Sequence, residues 1–158
     1  MEVEKKALSC GIIMESPEGI LLGHATNTRR WDIPKGRQEL NETPLETAIR
    51  ELEEETGITL EPDWVSACLD LGQHEYIREK DLHLFYLKVP HAFALDKLRC
   101  RTFVERNGDT YLEMDKYAWI PYHQLHDYAG RSLVYLIQKL RTSMQESKAK
   151  GAHDSFLG

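Results

Sequence analysis

Gly36-Arg37-Gln38-Glu39-Leu40-Asn41-Glu42-Thr43-Pro44-Leu45-Glu46-Thr47-Ala48-Ile49-Arg50-Glu51-Leu52-Glu53-Glu54-Glu55-Thr56-Gly57-Ile58 is the stretch on which the reading of this chain turns. Thr43 is a good N-cap, Pro44 suits the first helical position, and Glu46 completes a capping box with Thr43. Gly57 supplies a left-handed stop. These signals predict a helix over Pro44–Thr56. At about 100° per residue, Leu45, Ala48, Ile49 and Leu52 form one apolar stripe, the face for a core. Glu51, Glu54 and Glu55 share a second face at i, i+3 and i+4. Glu53 is expected on the opposite flank, near Glu46 and Arg50.

Three carboxylates on one face repel, each pair costing a few tenths of a kcal/mol on an exposed helix. They also sit toward the C-terminal end, where the helix dipole disfavours anions. A bound divalent cation reverses the sign of that arrangement. Oxygen ligands suit Mg²⁺ or Mn²⁺, and the absence of histidine or cysteine from this face argues against zinc. A solvated acidic face is the other reading of the same wheel.

The composition around this segment is that of one soluble globular domain: 158 residues, 41% hydrophobic and 29% charged, enough chain to bury a core. No apolar run approaches the roughly 20 residues of a membrane span. Met1–Lys6 lacks the basic start and apolar stretch of a secretory leader, so a cytoplasmic protein is expected. Cys10, Cys68 and Cys100 are widely spaced and form no CxxC pair, which reads as reduced thiols. The net charge is −6, and between Gly36 and Ile58 seven acids face two bases. Almost the whole acidic surplus therefore lies in one short stretch, and no broad basic face for duplex nucleic acid is evident.

Strands dominate the rest. Ala7–Met14 reads as a buried strand, Ser16–Gly19 as a turn, and Ile20–Leu22 as the return of the hairpin. Val65–Leu71 and Leu82–Val89 are further strand candidates with a polar loop between them, and Pro90–Leu98 is a connection. Asn107-Gly108 marks a hairpin between Arg101–Glu105 and Thr110–Leu112. Tyr117–Ile120 is a short strand and Pro121–Tyr128 a short helix. Leu133, Leu136, Ile137 and Leu140 mark an amphipathic C-terminal helix. From Ser143 the chain is polar, and a frayed tail is expected. The expected organisation is a single domain over 1–142 with a polar tail over 143–158, built as a mixed sheet covered by helices.

Gly36, then Glu42 after five residues, then Arg50-Glu51-Leu52-Glu53-Glu54-Glu55-Thr56-Gly57-Ile58 after seven more, resembles the Nudix box at every position. The resemblance implies the α/β class: a Nudix-type α/β/α sandwich with a central mixed β-sheet and the Nudix loop-helix. Members of that family mostly hydrolyse a nucleoside diphosphate linked to another group, using Mg²⁺ or Mn²⁺. Carried over position by position, Glu51, Glu54 and Glu55 match metal-binding glutamates. Gly36 matches the glycine whose carbonyl often binds metal. Glu42 and Arg50 match the bracing ion pair, with Gly57 the structural glycine. Glu53 holds the variable position. The resemblance implies that carboxylates hold the cation and that one of them takes the proton of an attacking water. That base is a box glutamate, Glu51 or Glu54, or an acid on a later loop. Glu113 is the candidate there, as base and fourth ligand, with Glu105 and Asp115 as competitors.

Trp31-Asp32-Ile33-Pro34-Lys35-Gly36 resembles the entry segment of dinucleoside polyphosphate and diphosphoinositol polyphosphate hydrolases, which implies Lys35 as a contact to a distal phosphate. Trp31 reads as core or as a stacking surface. Tyr76, 18 positions past the box, resembles a tyrosine of the dinucleoside polyphosphate hydrolases and could stack on a base. The ADP-ribose hydrolases tend to have proline where this chain has His74. The polar loop His74–Lys80, with Arg78, together with His24, Arg29 and Arg30, is expected to line a polyphosphate groove. The expected substrate is a small nucleotide or polyphosphate, diadenosine tetraphosphate-like. The alternatives are a nucleoside triphosphate or an RNA 5′ end, and a nucleotide-binding module without catalysis. Many members dimerise, though nothing in the sequence specifies an interface.

Overall fold

A computed structural model describes residues 7–151, with side chains through 146. The reading of Met1–Lys6 falls outside the described residues. The elements are β1 Ala7–Ser16, β2 Gly19–Ala25, β3 Trp31–Asp32, β4 Lys35–Arg37, α1 Pro44–Thr56, α2 Pro62–Ala67, β5 Leu69–Ile77, β6 Lys80–Lys88, β7 Phe103–Arg106, β8 Asp109–Leu112, β9 Met114–Ile120, α3 Leu125–Tyr128 and α4 Arg131–Gly151.

The main sheet runs β3-β2-β1-β6-β5, with β4 paired to β1 and β9 paired to β2. β1 and β6 are parallel and the other pairings antiparallel, so the sheet is mixed. β1 lies at its centre and is buried on both faces from Ser9 onward, as a strand covered on both sides must be. On one face, Ile13, Leu22, Leu84 and Tyr86 pack with Leu133, Leu136, Ile137, Leu140 and Met144 of α4. On the other, Cys10, Ile12, Met14 and Phe85 pack with Ala48 and Leu52 of α1. This is the expected α/β/α sandwich. The hairpin β7–β8 is a separate two-stranded sheet.

α1 has the predicted ends. The Thr43 hydroxyl accepts the Glu46 N–H, the Glu46 carboxylate accepts the Thr43 N–H, and Gly57 takes φ 79°. The Asn107-Gly108 turn has both residues at positive φ, 53° and 83°, the two-residue geometry that suits a twisted hairpin.

Three expectations change. Of the strand expected over Val65–Leu71 only Leu69–Leu71 is strand, as the start of β5, because Pro62 opens the helix α2 and Trp64, Val65 and Cys68 pack one core at helical spacing. The polar loop expected over His74–Lys80 is mostly sheet: β5 continues to Ile77 and β6 starts at Lys80, leaving Arg78-Glu79 as the turn. Pairing with β6 satisfies that backbone, while the polar side chains alternate toward solvent. The helix α4 also runs past Ser143 to Gly151, and Met144 is fully buried. Burial of such a side chain contributes about 1.5–3 kcal/mol, which outweighs the polar composition that suggested fraying. Residues 152–158 lie outside the described residues.

Candidate active site

The acidic face of α1 is turned inward. Glu55 is 1% exposed and Glu51 9%, while the Glu54 side chain is one-third exposed. β4 brings Gly36 directly under Glu51: a Cβ placed on Gly36 would fall 2.1–2.4 Å from the Glu51 carboxyl atoms. The next residue back, Lys35, donates its amide N–H to Glu55 Oε1 at 3.2 Å. Opposite this face, the bend between β8 and β9 carries Glu113, whose N–H donates to Thr102 O at 2.9 Å. The Thr102 hydroxyl donates to Glu113 Oε2 at 2.8 Å.

Burial raises the Glu55 carboxyl well above its ordinary range, and the charges of Glu113 and Glu51 push it further; Lys35 pulls the other way. Glu51 is also raised, first by burial, then by Glu54 and Glu113 against the opposing Arg50. Glu51, Glu55 and Glu113, from two distant parts of the chain, therefore act on one another through space.

Arg50 braces this face. Its Nε and Nη2 donate to both oxygens of Glu42, at 2.7 and 3.0 Å. Its Nη1 donates to Glu51 at 3.0 Å and Glu54 at 3.1 Å, and Nη2 reaches Arg37 O at 3.1 Å. Arg50 thus serves the acidic face, not the Glu53 flank where the wheel set it. Glu53 does point away, pairing at 2.7 Å with Arg101. The C-terminal carbonyls of α1 are capped from a distance: Arg101 N–H to Glu54 O at 2.7 Å, Arg99 N–H to Thr56 O at 2.9 Å, and the Tyr117 hydroxyl to Glu55 O.

The Arg50 hydrogen bonds push Glu42 down from its ordinary 4.5 to about 2. A carboxylate with a lowered folded pKa stabilises fully above its unfolded pKa and loses that contribution as pH falls through the folded one. Thermal melts from pH 5 to pH 2 are expected to show this loss, and Glu42→Gln to flatten that part of the profile. An unchanged profile in the variant would contradict the pairing.

Among the described residues, no three histidine, cysteine, aspartate or glutamate side chains form a ready-made metal cage. The geometry explains this: Glu51 and Glu54 lean on Arg50, and Glu113 on Thr102. The donor set nonetheless fits a hard divalent cation. It is all carboxylate oxygen, it includes a buried acid whose neighbours repel it, and its floor is a glycine with no side chain to fill the space.

The remaining sequence candidates divide. Lys35 and Tyr76 come together, with Lys35 Nζ 5.4 Å from the Tyr76 ring centroid. Trp31 packs into the core between His24 and Tyr128, at ring separations of 5.1 and 5.6 Å. Arg29 and Arg30 are exposed between β2 and β3, and Arg78 is exposed at the β5–β6 turn. His24 is a strut, bonding Asp115 at 2.6 Å and Thr28 O at 2.7 Å. Of the competitors to Glu113, Asp115 is engaged by that histidine, and Glu105 lies exposed on the outer hairpin face. Sequence reasoning missed Asp32, although it lay inside the quoted Trp31–Gly36 segment: its Oδ2 is 3.3 Å from Lys35 Nζ.

Comparison with known proteins agrees with this architecture. The NUDIX domain model matches residues 5–140. An uncharacterized 17.7 kDa protein of the e-segB intergenic region of Enterobacteria phage T4 is 37% identical over 151 residues, covering 88% of this chain and 98% of that protein. The RNA pyrophosphohydrolase of Mesorhizobium japonicum is 30% identical over 136 residues, covering 74% of this chain and 77% of the relative. Among solved structures, a C. elegans Ap4A hydrolase binary complex superposes with a TM-score of 0.65 at 17% identity, covering 87% of this chain and 98% of that one. The chain belongs to the Nudix family, and its class is that of the Nudix pyrophosphohydrolases. Nudix hydrolases generally use divalent metals. Among the described residues, no helix is long and apolar enough to cross a membrane.

Proposed function

We propose that this chain hydrolyses a phosphoanhydride within a dinucleoside polyphosphate, diadenosine tetraphosphate-like, with Mg²⁺ or Mn²⁺ held by Glu51, Glu54, Glu55, Glu113 and the Gly36 carbonyl. The observation that carries the reading is the mutual repulsion of Glu51, Glu55 and Glu113 over the bare floor of Gly36. A divalent cation bound there supplies charge neutralisation for the polyphosphate and a more acidic water. Arg50 holds Glu51 and Glu54 along the same edge by hydrogen bonds at 3.0 and 3.1 Å. Glu113, fixed by Thr102 and opposite α1, takes the proton of the attacking water. Lys35 and Tyr76 supply a cation and a ring for the part of the substrate not being cleaved, and Arg29, Arg30 and Arg78 line its approach.

A second reading, an RNA 5′ end or a nucleoside triphosphate as substrate, is favoured by the likeness to the Mesorhizobium protein over most of both chains. The acidic balance of −6 weighs against long RNA. Chromatography of products from a substrate panel, with and without EDTA, separates the readings. The tetraphosphate reading expects ATP plus AMP, lost with EDTA. Release of pyrophosphate from a triphosphate or RNA end, with the tetraphosphate intact, favours the second reading. Tight binding with every anhydride intact would point instead to a nucleotide-binding module.

A further inference from the structure

Asp32 is the hub of a half-buried polar cluster beside the acidic face of α1. Its Oδ1 accepts the Ile33 N–H at 2.8 Å. Its Oδ2 lies 3.3 Å from Lys35 Nζ. Lys35 Nζ in turn sits over the Tyr76 ring at 5.4 Å, within cation–π range. Arg30 acts electrostatically on both Asp32 and Tyr76. Asp32 thus holds Lys35, whose ammonium reaches Tyr76 of β5 and whose backbone N–H hydrogen-bonds Glu55.

A lysine ammonium on a four-carbon stem has much rotamer freedom to lose on binding an anion. A lysine already held by a carboxylate and a ring has lost most of it. The Asp32 side chain is 27% exposed, and its two oxygens are engaged by the Ile33 N–H and by Lys35, so it has little left to offer a ligand. A bare carboxylate here would repel phosphate, but this one is neutralised by the groups it holds. The geometry points to Asp32 as a positioning residue for substrate: it fixes Lys35 and Tyr76 in one arrangement, so that the uncleaved phosphate and base meet a preset cation and ring. The inference rests on the hydrolase reading above and concerns specificity, not the bond-breaking step.

A double-mutant cycle tests it, with Asp32→Asn and Lys35→Met made singly and together, and with KM, kcat and melting temperature read for diadenosine tetraphosphate in Mn²⁺. Asp32→Asn is expected to raise KM roughly tenfold when Lys35 is present, a scale typical of residues in contact. In the Lys35→Met background the same change should alter KM less than twofold. KM effects of equal size in both backgrounds would mean a purely structural role and would overturn the inference. Should Asp32→Asn fail to fold, Asp32→Glu, which keeps the charge but moves it away from Lys35, is read in the same cycle against the same criterion. If the wild-type protein cleaves no phosphoanhydride, the hydrolase reading fails and this inference falls with it. If the wild type is active but the cycle is additive, only the role of Asp32 is lost.

Discussion

Glu55→Gln is expected to lower turnover by about 100-fold or more while making the metal-free protein more heat-stable. The two effects have one cause. Glu55 is 1% exposed, and burial together with the charges of Glu113 and Glu51 disfavours its ionised form. A glutamine keeps the acceptor for the Lys35 N–H and removes the charge. The metal-free fold then loses a repulsion, and a gain of about 1 kcal/mol would raise the melting temperature by about 2–4 °C. The same sign appears with pH: a carboxyl whose folded pKa is raised destabilises when ionised, so acidification toward that pKa stabilises the metal-free wild type. In the presence of Mn²⁺ the ranking is expected to invert, because only the wild type gains from the ion. Glu54→Gln should lose activity on a similar scale. Glu53→Gln, whose side chain is 40% exposed and paired with Arg101, should keep activity within about threefold and stability within about 0.5 kcal/mol. Equal losses at Glu53 and Glu54 would refute the two-faced helix.

Gly36→Ala is expected to cost about 10- to 100-fold in turnover with little effect on folding. The added methyl would lie 2.1–2.4 Å from the Glu51 carboxyl atoms, and its three nearest neighbours are all in that side chain rather than in backbone. The carboxylate is the far end of a flexible side chain, so it can swing aside and let the fold survive. In doing so it leaves the edge it shares with Glu54 and disturbs its 3.0 Å bond from Arg50. Full activity in this variant, with an unchanged melting temperature, would show that Glu51 is not needed where the structure puts it.

The helix α1 was legible to the residue because its ends are made locally, by the Thr43–Glu46 box and the left-handed Gly57. The inward turn of its acidic face was not, since a wheel knows directions and not neighbours. It takes β4, docked on β1 through Gly11, to bury Glu51 and Glu55: a Cβ at Gly11 would lie 2.7 Å from that of Lys35. Arg50 was set on the wrong flank for a related reason, as the wheel tracks its Cβ while its guanidinium reaches a turn away. Glu113 had no periodicity to announce it. Its place follows from the β7–β8 register, which sets Thr102 opposite Glu113 and so hangs the acid over α1. The strand β5 was read as partly loop because one of its faces is solvated, and pairing with β6 is a long-range fact. Asp32 escaped notice because a single acid near a lysine is common, and only the fold brings Tyr76 to the lysine that Asp32 holds.

The most direct test is a Mn²⁺ titration of the metal-free protein, with free ion followed by electron paramagnetic resonance, with and without diadenosine tetraphosphate. Saturable binding is expected in the wild type, tightened by the nucleotide and strongly weakened in Glu55→Gln and Glu54→Gln but not in Glu53→Gln. Absence of saturable binding under both conditions, or binding that ignores Glu54 and Glu55, would contradict the assignment of this edge of α1 as a cation site.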